Sequence, residues 1–318
     1  GAATAQWANI GSMENKGFEF TLNTVNISNR DFQWRTNVTF SLNRNKVASM
    51  NTENAFIDKT YQNSGQTEVI TRTAVGKPVS QFYGYKAIGR INSASDYLID
   101  NGDGTSTVKI ATPVLRVGEQ VVNSGTDKGS LIKQIYIGDY IFEDLNNDGV
   151  IDEKDQTFLG SPLPKFTYGI NNTFNYKNFD LNVYFYTRQK YGQLLGVLTD
   201  EAGSTRYNHL DVDFWTPDNP SNACPKPAIT NPQELLVSSD YAYRDLSFIR
   251  LKNINLGYTL PKEISKKFYS EKFRVYFMVE NPYTWTKSDY VGLDPENCNS
   301  YTDHRPLTSF IFGVNASF

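Results

Sequence analysis

Phe310-Ile-Phe-Gly-Val-Asn-Ala-Ser-Phe318 decides the fold. Phe310, Phe312, Val314, Ala316 and Phe318 share one parity, and Ile311, Gly313, Asn315 and Ser317 share the other. Period two with a mostly apolar and a mostly small or polar face is the signature of a β-strand. The alternation runs to the last residue, whereas the free end of a soluble domain is usually frayed and polar. An aromatic strand of this kind is the expected closing strand of a membrane barrel.

The same pattern recurs upstream. Phe18, Phe20, Leu22 and Thr24 alternate with Glu19, Thr21, Asn23 and Val25. After a turn at Ser28-Asn29, Phe32, Trp34, Thr36, Val38, Phe40 and Leu42 alternate with Gln33, Arg35, Asn37, Thr39, Ser41 and Asn43. Phe166, Tyr168, Ile170, Phe174 and Tyr176 lead to a Lys177-Asn178 turn and a return through Phe179, Leu181, Val183 and Phe185. Further strands are expected over 246–258, 273–279 and 309–318, with a β-bulge between Leu251 and Ile254 where the apolar phase shifts. Several of these runs match the about 9–11 residues that cross a bilayer at a tilt. Connections are expected to be short at 28–29, 177–178 and 261–271, the last with one helical turn. They are expected to be long at 50–75, 92–130, 193–240 and 287–306. Short turns at one end and long loops at the other fit a transmembrane antiparallel β-barrel with long extracellular loops and a wet, Asn- and Thr-rich lumen. The competing reading is a soluble β-sandwich, a carbohydrate-binding or adhesion module, which also has alternating strands.

Composition agrees with an all-β chain. Of 318 residues, 14% are aromatic, with 20 Tyr and 20 Phe, and such side chains suit a pleated surface. Net charge is -3, from 31 basic and 34 acidic residues, so no basic surplus points to nucleic acid. No apolar run is long enough for a transmembrane helix, which leaves barrel strands untouched. Gly1–Ile10 lacks the basic start and apolar stretch of a signal peptide, so a mature form or a longer parent chain is expected. Cys224 and Cys298 lie in polar loops, as two unrelated thiols or one long-range disulfide. Only His209 and His304 could join them on zinc, too few ligands for a site.

One segment has chemistry of its own. Asp144-Leu-Asn-Asn-Asp-Gly-Val-Ile-Asp-Glu-Lys-Asp155 fits the spacing of a calcium loop. Asp144, Asn146, Asp148, the Val150 carbonyl, Asp152 and Asp155 are the candidate metal ligands, with Gly149 at the sharp turn. Position 12 is Asp rather than the usual bidentate Glu. The flanks read as strand over 135–142 and turn over 156–164, so this would be a calcium loop without an EF-hand. The plain alternative is an Asn- and Gly-rich turn held by side-chain-to-backbone bonds. Loop 206–220 gathers Tyr207, His209, Asp211, Asp213, Phe214 and Trp215, which would stack on a sugar, grip a peptide or simply pack. No catalytic motif is present, and no enzyme is expected.

Seven segments carry a family resemblance. They are Asn9-Ile-Gly-Ser-Met-Glu-Asn-Lys-Gly-Phe-Glu-Phe20, Val75-Gly-Lys-Pro-Val-Ser-Gln-Phe-Tyr-Gly-Tyr85, the acidic stretch 138–152, Gly160-Ser-Pro-Leu-Pro-Lys-Phe-Thr-Tyr-Gly169, Asn178-Phe-Asp-Leu181, Arg250-Leu-Lys-Asn-Ile-Asn-Leu-Gly-Tyr-Thr-Leu-Pro261 and Gly292-Leu-Asp-Pro-Glu296. In this order they resemble the C-terminal part of the SusC/RagA family of TonB-dependent transporters. The resemblance implies a barrel of about 22 strands, of which residues 1–318 supply about nine or ten. It implies that the N-terminal plug domain and TonB box lie outside this chain. It further implies an outer-membrane setting, TonB and a SusD-like lipoprotein as partners, and an oligosaccharide or peptide as cargo. A complete barrel of about eight strands is the other way to close such a wall.

Overall fold

The computed structural model describes residues 11–52, 55–63, 66–103, 106–108, 110, 112–117, 120–123, 138, 140–190, 192–194, 213–220, 238–287, 290, 294–296 and 306–318. Seven long strands form one sheet: β1 (Gly11–Ser28), β2 (Phe32–Met50), β3 (Phe166–Tyr176), β4 (Phe179–Gln189), β5 (Phe248–Thr259), β6 (Lys272–Thr286) and β7 (Ser309–Ser317). Each pairs antiparallel with the next in chain order, so the sheet is a pure meander with β1 and β7 at its edges.

Register carries the apolar parity of each strand onto one common face. Phe20 faces Phe40, which faces Tyr168. Ile170 faces Phe185, and Leu181 faces Leu256, which faces Phe277, which faces Phe312. The expected bulge lies between Leu251 and Asn253, and it returns Leu251 and Ile249 to the apolar side. In a sandwich this face would be the core. Here Phe18 is 59% and Phe312 80% exposed, and the buried residues of the sheet cluster at its looped end around Phe248 and Arg250. An apolar sheet face open along its whole width suits lipid rather than a second sheet.

The turns at one end are bonded to one another. The Asn29 side-chain carbonyl accepts from Asp31 N and Phe32 N at 3.2 and 2.8 Å, closing the first hairpin. Lys177, at φ 52°, makes the tight turn between β3 and β4 and donates its N–H to Asp31 O. Thr259 N donates to Asn178 O, and Glu271 N to Ser317 O. The β5–β6 turn holds short helical turns at Lys262–Ser265 and Lys266–Phe268. The β2–β3, β4–β5 and β6–β7 connections all leave from the other end, as expected from their lengths.

Seven wall strands, rather than nine or ten, are present among the described residues, because parts of the long connections fold into sheets of their own. Phe56–Asn63 and Gln66–Ala74, expected as loop, form a hairpin that extends through Gln81–Gly84 to Thr157–Gly160. Its register is set by Arg72, which pairs with both Asp58 oxygens at 2.7 Å and lies 3.9 Å from the centres of the Phe56 and Tyr83 rings. Cross-strand pairing of this sort replaces the missing alternation. Thr157–Gly160 likewise is strand where a turn was expected, since it completes the edge beside Gln81–Gly84. Among the described residues no helix is long and apolar enough to cross a membrane.

Candidate functional site

The face opposite the apolar band is mostly polar. One row in register runs Asn23, Asn37, Asn171, Tyr184, Asn253 and Glu280 across β1 to β6. Asn37 donates to Asn23 Oδ1 at 2.7 Å. Nearer the turns, Arg274 grips Asp180 with Nε and Nη2 at 2.9 and 2.5 Å. Glycines make that arrangement fit. A Cβ on Gly257 would lie 2.2 Å from Arg274 Nη2, and one on Gly313 would lie 2.2 Å from the Tyr276 ring. Each lets a large neighbour lie flat across the strand beside it.

Above the looped end the connections pack into a rim. Tyr85, Phe142 and Ile151 form its small core, with Ala87 and Tyr140 against it. The Gly84–Tyr85 backbone joins residues 238–240: Tyr85 N donates to Ser238 O, Asp240 N to Tyr85 O, and Ala87 N to Asp240 Oδ1, at 2.7, 3.0 and 2.9 Å. Burial pushes the Asp240 carboxyl above its ordinary range, against the Ala87 N–H and the Arg244 and Lys86 charges. Asp245 goes the other way: burial opposes ionisation, but Lys287, the Ser247 hydroxyl and the Ser247 N–H together hold its pKa low. Lys287 Nζ pairs with Asp245 Oδ2.

The acidic loop is closed largely by its own backbone. Asp144 accepts from Asp148 N at 3.2 Å and Gly149 N at 2.8 Å. Asn146 and Asp148 carbonyl and carboxylate oxygens accept from Asp148 N and Val150 N, both at 3.0 Å. Gly149 sits at φ 82° and Asn147 at φ 59°. Asp152 and Asp155 form a capping box on the short helical turn Glu153–Asp155. Asp155, at 0% exposure, accepts from Leu145 N at 2.9 Å and Asp152 N at 2.8 Å. Its carboxylate therefore points into the loop, while Asn146 and Asp148 are exposed and Asp144 is half-buried. Among the described residues no three His, Cys, Asp or Glu side chains are gathered as a metal site.

Of loop 206–220, residues 213–220 are described. Trp215 is buried at 2% exposure and donates Nε1–H to Asn92 Oδ1 at 2.8 Å. Asp213 accepts from Asn219 Nδ2. Trp215 is thus a packing residue of the rim, whereas the Asp213–Asn219 bond is exposed and closes the loop on itself. Tyr207, His209, Asp211, His304, Cys224 and Cys298 lie outside the described residues.

A charge cluster that sequence reading passed over sits on the polar face near the rim. Arg250 on β5, 1% exposed, sends Nη2 to Asp294 Oδ2 and Nη1 to Glu296 Oε2, both at 2.5 Å, and Nε to Thr284 Oγ1 at 2.9 Å. Arg188 on β4 reaches Glu296 Oε1 at 3.2 Å. Arg250 and Asp294 stood in two of the motifs quoted above, but nothing in their spacing announced a contact 44 residues apart.

No family model matches this chain. It is 32% identical to TonB-dependent receptor P3 of Formosa agariphila over 99% of its own length and 30% of that protein's. It is 24% identical to TonB-dependent receptor SusC of Bacteroides thetaiotaomicron, over 98% of the chain and 27% of that protein. Structures of the RagAB peptide importer in its 'closed-closed' and 'open-open' states superpose with TM-score 0.64 at 21% identity, over 98% and 99% of this chain and 30% of theirs. The chain thus spans about a third of the length of the curated relatives it matches.

Proposed function

This chain belongs to the SusC/RagA family of TonB-dependent receptors, and from that premise we propose that its seven strands are a wall section of an outer-membrane importer for oligosaccharides or peptides. The observation that carries the proposal is the apolar face shared by all seven strands from β1 to β7, which stays open. Lipid covers such a face without cost, whereas water would not. The polar face then lines the lumen, and the rim lies on the cell-surface side. One similar structure is that of a peptide importer, which supports peptide as a cargo class, and the oligosaccharide alternative follows from the family resemblance. A SusD-like surface lipoprotein and TonB are the proposed partners, with the plug and TonB-contacting parts in the rest of a longer receptor. Transport rather than catalysis is the proposed role, since the polar face presents amides and paired charges.

The test uses the full-length receptor. Its gene would be deleted in the native host and growth measured on panels of oligosaccharides and of peptides as sole nutrient. Loss of growth on one panel, restored by the wild-type gene, names the cargo class. A receptor recovered in the soluble fraction without detergent would instead establish the sandwich reading and end this one.

For loop 144–155 we propose a structural calcium ion held from the exposed side by Asp144, Asn146 and Asp148, with the Val150 carbonyl and Asp152. The supporting feature is the pairing of Asp144 with Gly149 N, which sets the turn such loops require. Titration calorimetry of the full-length receptor with calcium chloride should show one site per chain that Asp144→Ala abolishes. No heat with an unchanged, ordered loop would leave the loop closed by its own donors alone.

A further inference from the structure

We propose that Arg250 is a positioning residue that holds the β6–β7 connection inside the barrel mouth, making Asp294–Glu296 a fixed ledge of the import path. The inference rests on the importer reading for its function, and on geometry alone for the latch.

Alternation places Arg250, Arg188 and Thr284 on the polar, lumen-side face of β5, β4 and β6, because Ile249, Leu251 and Phe185 take the apolar side. Asp294 and Glu296 belong to the connection that leaves the looped end after Thr286. Asp294 and Glu296 therefore lie on the inner side of this wall. The three arginine nitrogens divide among three partners: Nη2 on Asp294, Nη1 on Glu296 and Nε on Thr284. Arg188 shares Glu296, so two cations and two carboxylates neutralise one another. A second tie, Lys287 to Asp245, fastens the connection at its start.

The cluster joins wall to loop, not wall to wall. Backbone pairing of β5 with β6 runs from Phe248–Thr286 to Thr259–Arg274 and uses none of these side chains. Removing Arg250 should free the connection and leave the ladder standing. Arg250 is covered, and Asp294 is nearly so. Losing either side leaves an uncompensated charge that the loop relieves by moving into water. Lysine cannot substitute, since one ammonium cannot span three partners in a planar fork.

The experiment is hydrogen exchange on the full-length receptor in detergent, read at the peptide containing Glu296 and at those covering β5 and β6. Arg250→Met, Arg250→Lys and the double variant Asp294→Asn/Glu296→Gln would be compared with wild type. Each should speed exchange at Glu296 by about tenfold or more, the loss expected for charged hydrogen bonds, with β5 and β6 unchanged. High salt should leave the wild-type protection intact, since a covered pair is poorly screened. Combining Arg250→Met with the double variant should add little to either. Unchanged exchange at Glu296 in all variants would overturn the latch. Equal loss in loop and strands would make Arg250 a general stability residue and overturn it too. In cells, the Arg250→Met receptor, at wild-type surface level, should shift growth between short and long members of the nutrient series identified for the wild type. An unshifted preference would remove the ledge from the import path. A receptor soluble without detergent defeats the importer reading while leaving the exchange result to judge the latch.

Discussion

Gly84→Ala should open the rim at its narrowest backbone contact. A Cβ at Gly84 would stand 1.7 Å from the Ser238 carbonyl oxygen and 2.6 Å from its carbon, where real contacts essentially never fall below 3.0 Å. The obstacle is backbone, so no side-chain rotation relieves it. The two segments must separate by about 1.3 Å, the difference between those limits. That stretch takes the Tyr85 N–H beyond bonding range of Ser238 O, now 2.7 Å away. Asp240 N on Tyr85 O and Ala87 N on Asp240 Oδ1 go with it. At roughly 1 kcal/mol net for each bond, the loss is about 3 kcal/mol, or about a hundredfold in the local opening equilibrium. Hydrogen exchange at Tyr85, Ala87 and Asp240 in the full-length receptor measures it. Gly89→Ala is the control, because its Cβ would meet only Ile141 Cδ1 at an ordinary 3.9 Å. Equal exchange in wild type, Gly84→Ala and Gly89→Ala would refute the claim that this junction is set by close backbone approach.

Asp155→Ala strips a buried acceptor from Leu145 N and Asp152 N, and should cost about 2 kcal/mol locally, seen as faster exchange at both amides. Gly313→Val should push the Tyr276 ring off the strand and lower the yield of folded receptor, scored by heat-modifiable migration, whereas Asn315→Val on the same parity should not. The two rim carboxyls should respond to acid with opposite signs. Asp240, whose pKa is raised, costs the rim stability while ionised, so that cost is removed as pH falls through its folded value toward 3.8. Asp245, whose pKa is lowered, contributes stability above 3.8 that is lost as pH falls through its folded value. Asp240→Asn should therefore abolish an acid-side gain in rim protection and Asp245→Asn an acid-side loss, measured by exchange at matched intrinsic rates.

The wall was legible because a lipid-facing sheet writes its geometry into the sequence with period two. Phe166 to Tyr176 and Phe179 to Phe185 needed only alternation and the Lys177–Asn178 turn to be paired correctly. Even the bulge after Leu251 showed as a shift of apolar phase. The connections were legible only as lengths. The strands Phe56–Asn63 and Gln66–Ala74 went unread because their ladder is reinforced by Arg72, between two rings and a carboxylate, rather than by a clean alternation, and contacts of that kind have no period.

The polar face marks the same boundary from within the wall. Its parity was clear, but its chemistry depends on which residues fall opposite one another across strands far apart in sequence. Gly257 looks like a weak point in a strand until Arg274 is seen to cross it toward Asp180. Arg250 looks like one more polar residue until Asp294 and Glu296 are seen to meet it. In both cases the large charged side chain needs a partner supplied by another strand or loop, and only register or the path of a loop brings that partner within reach. A strand that keeps its parity can change every one of these partners without altering its alternation. The wall's class can therefore be read from one chain segment at a time, whereas the mouth must be read from pairs, of which Arg250 with Asp294 is one.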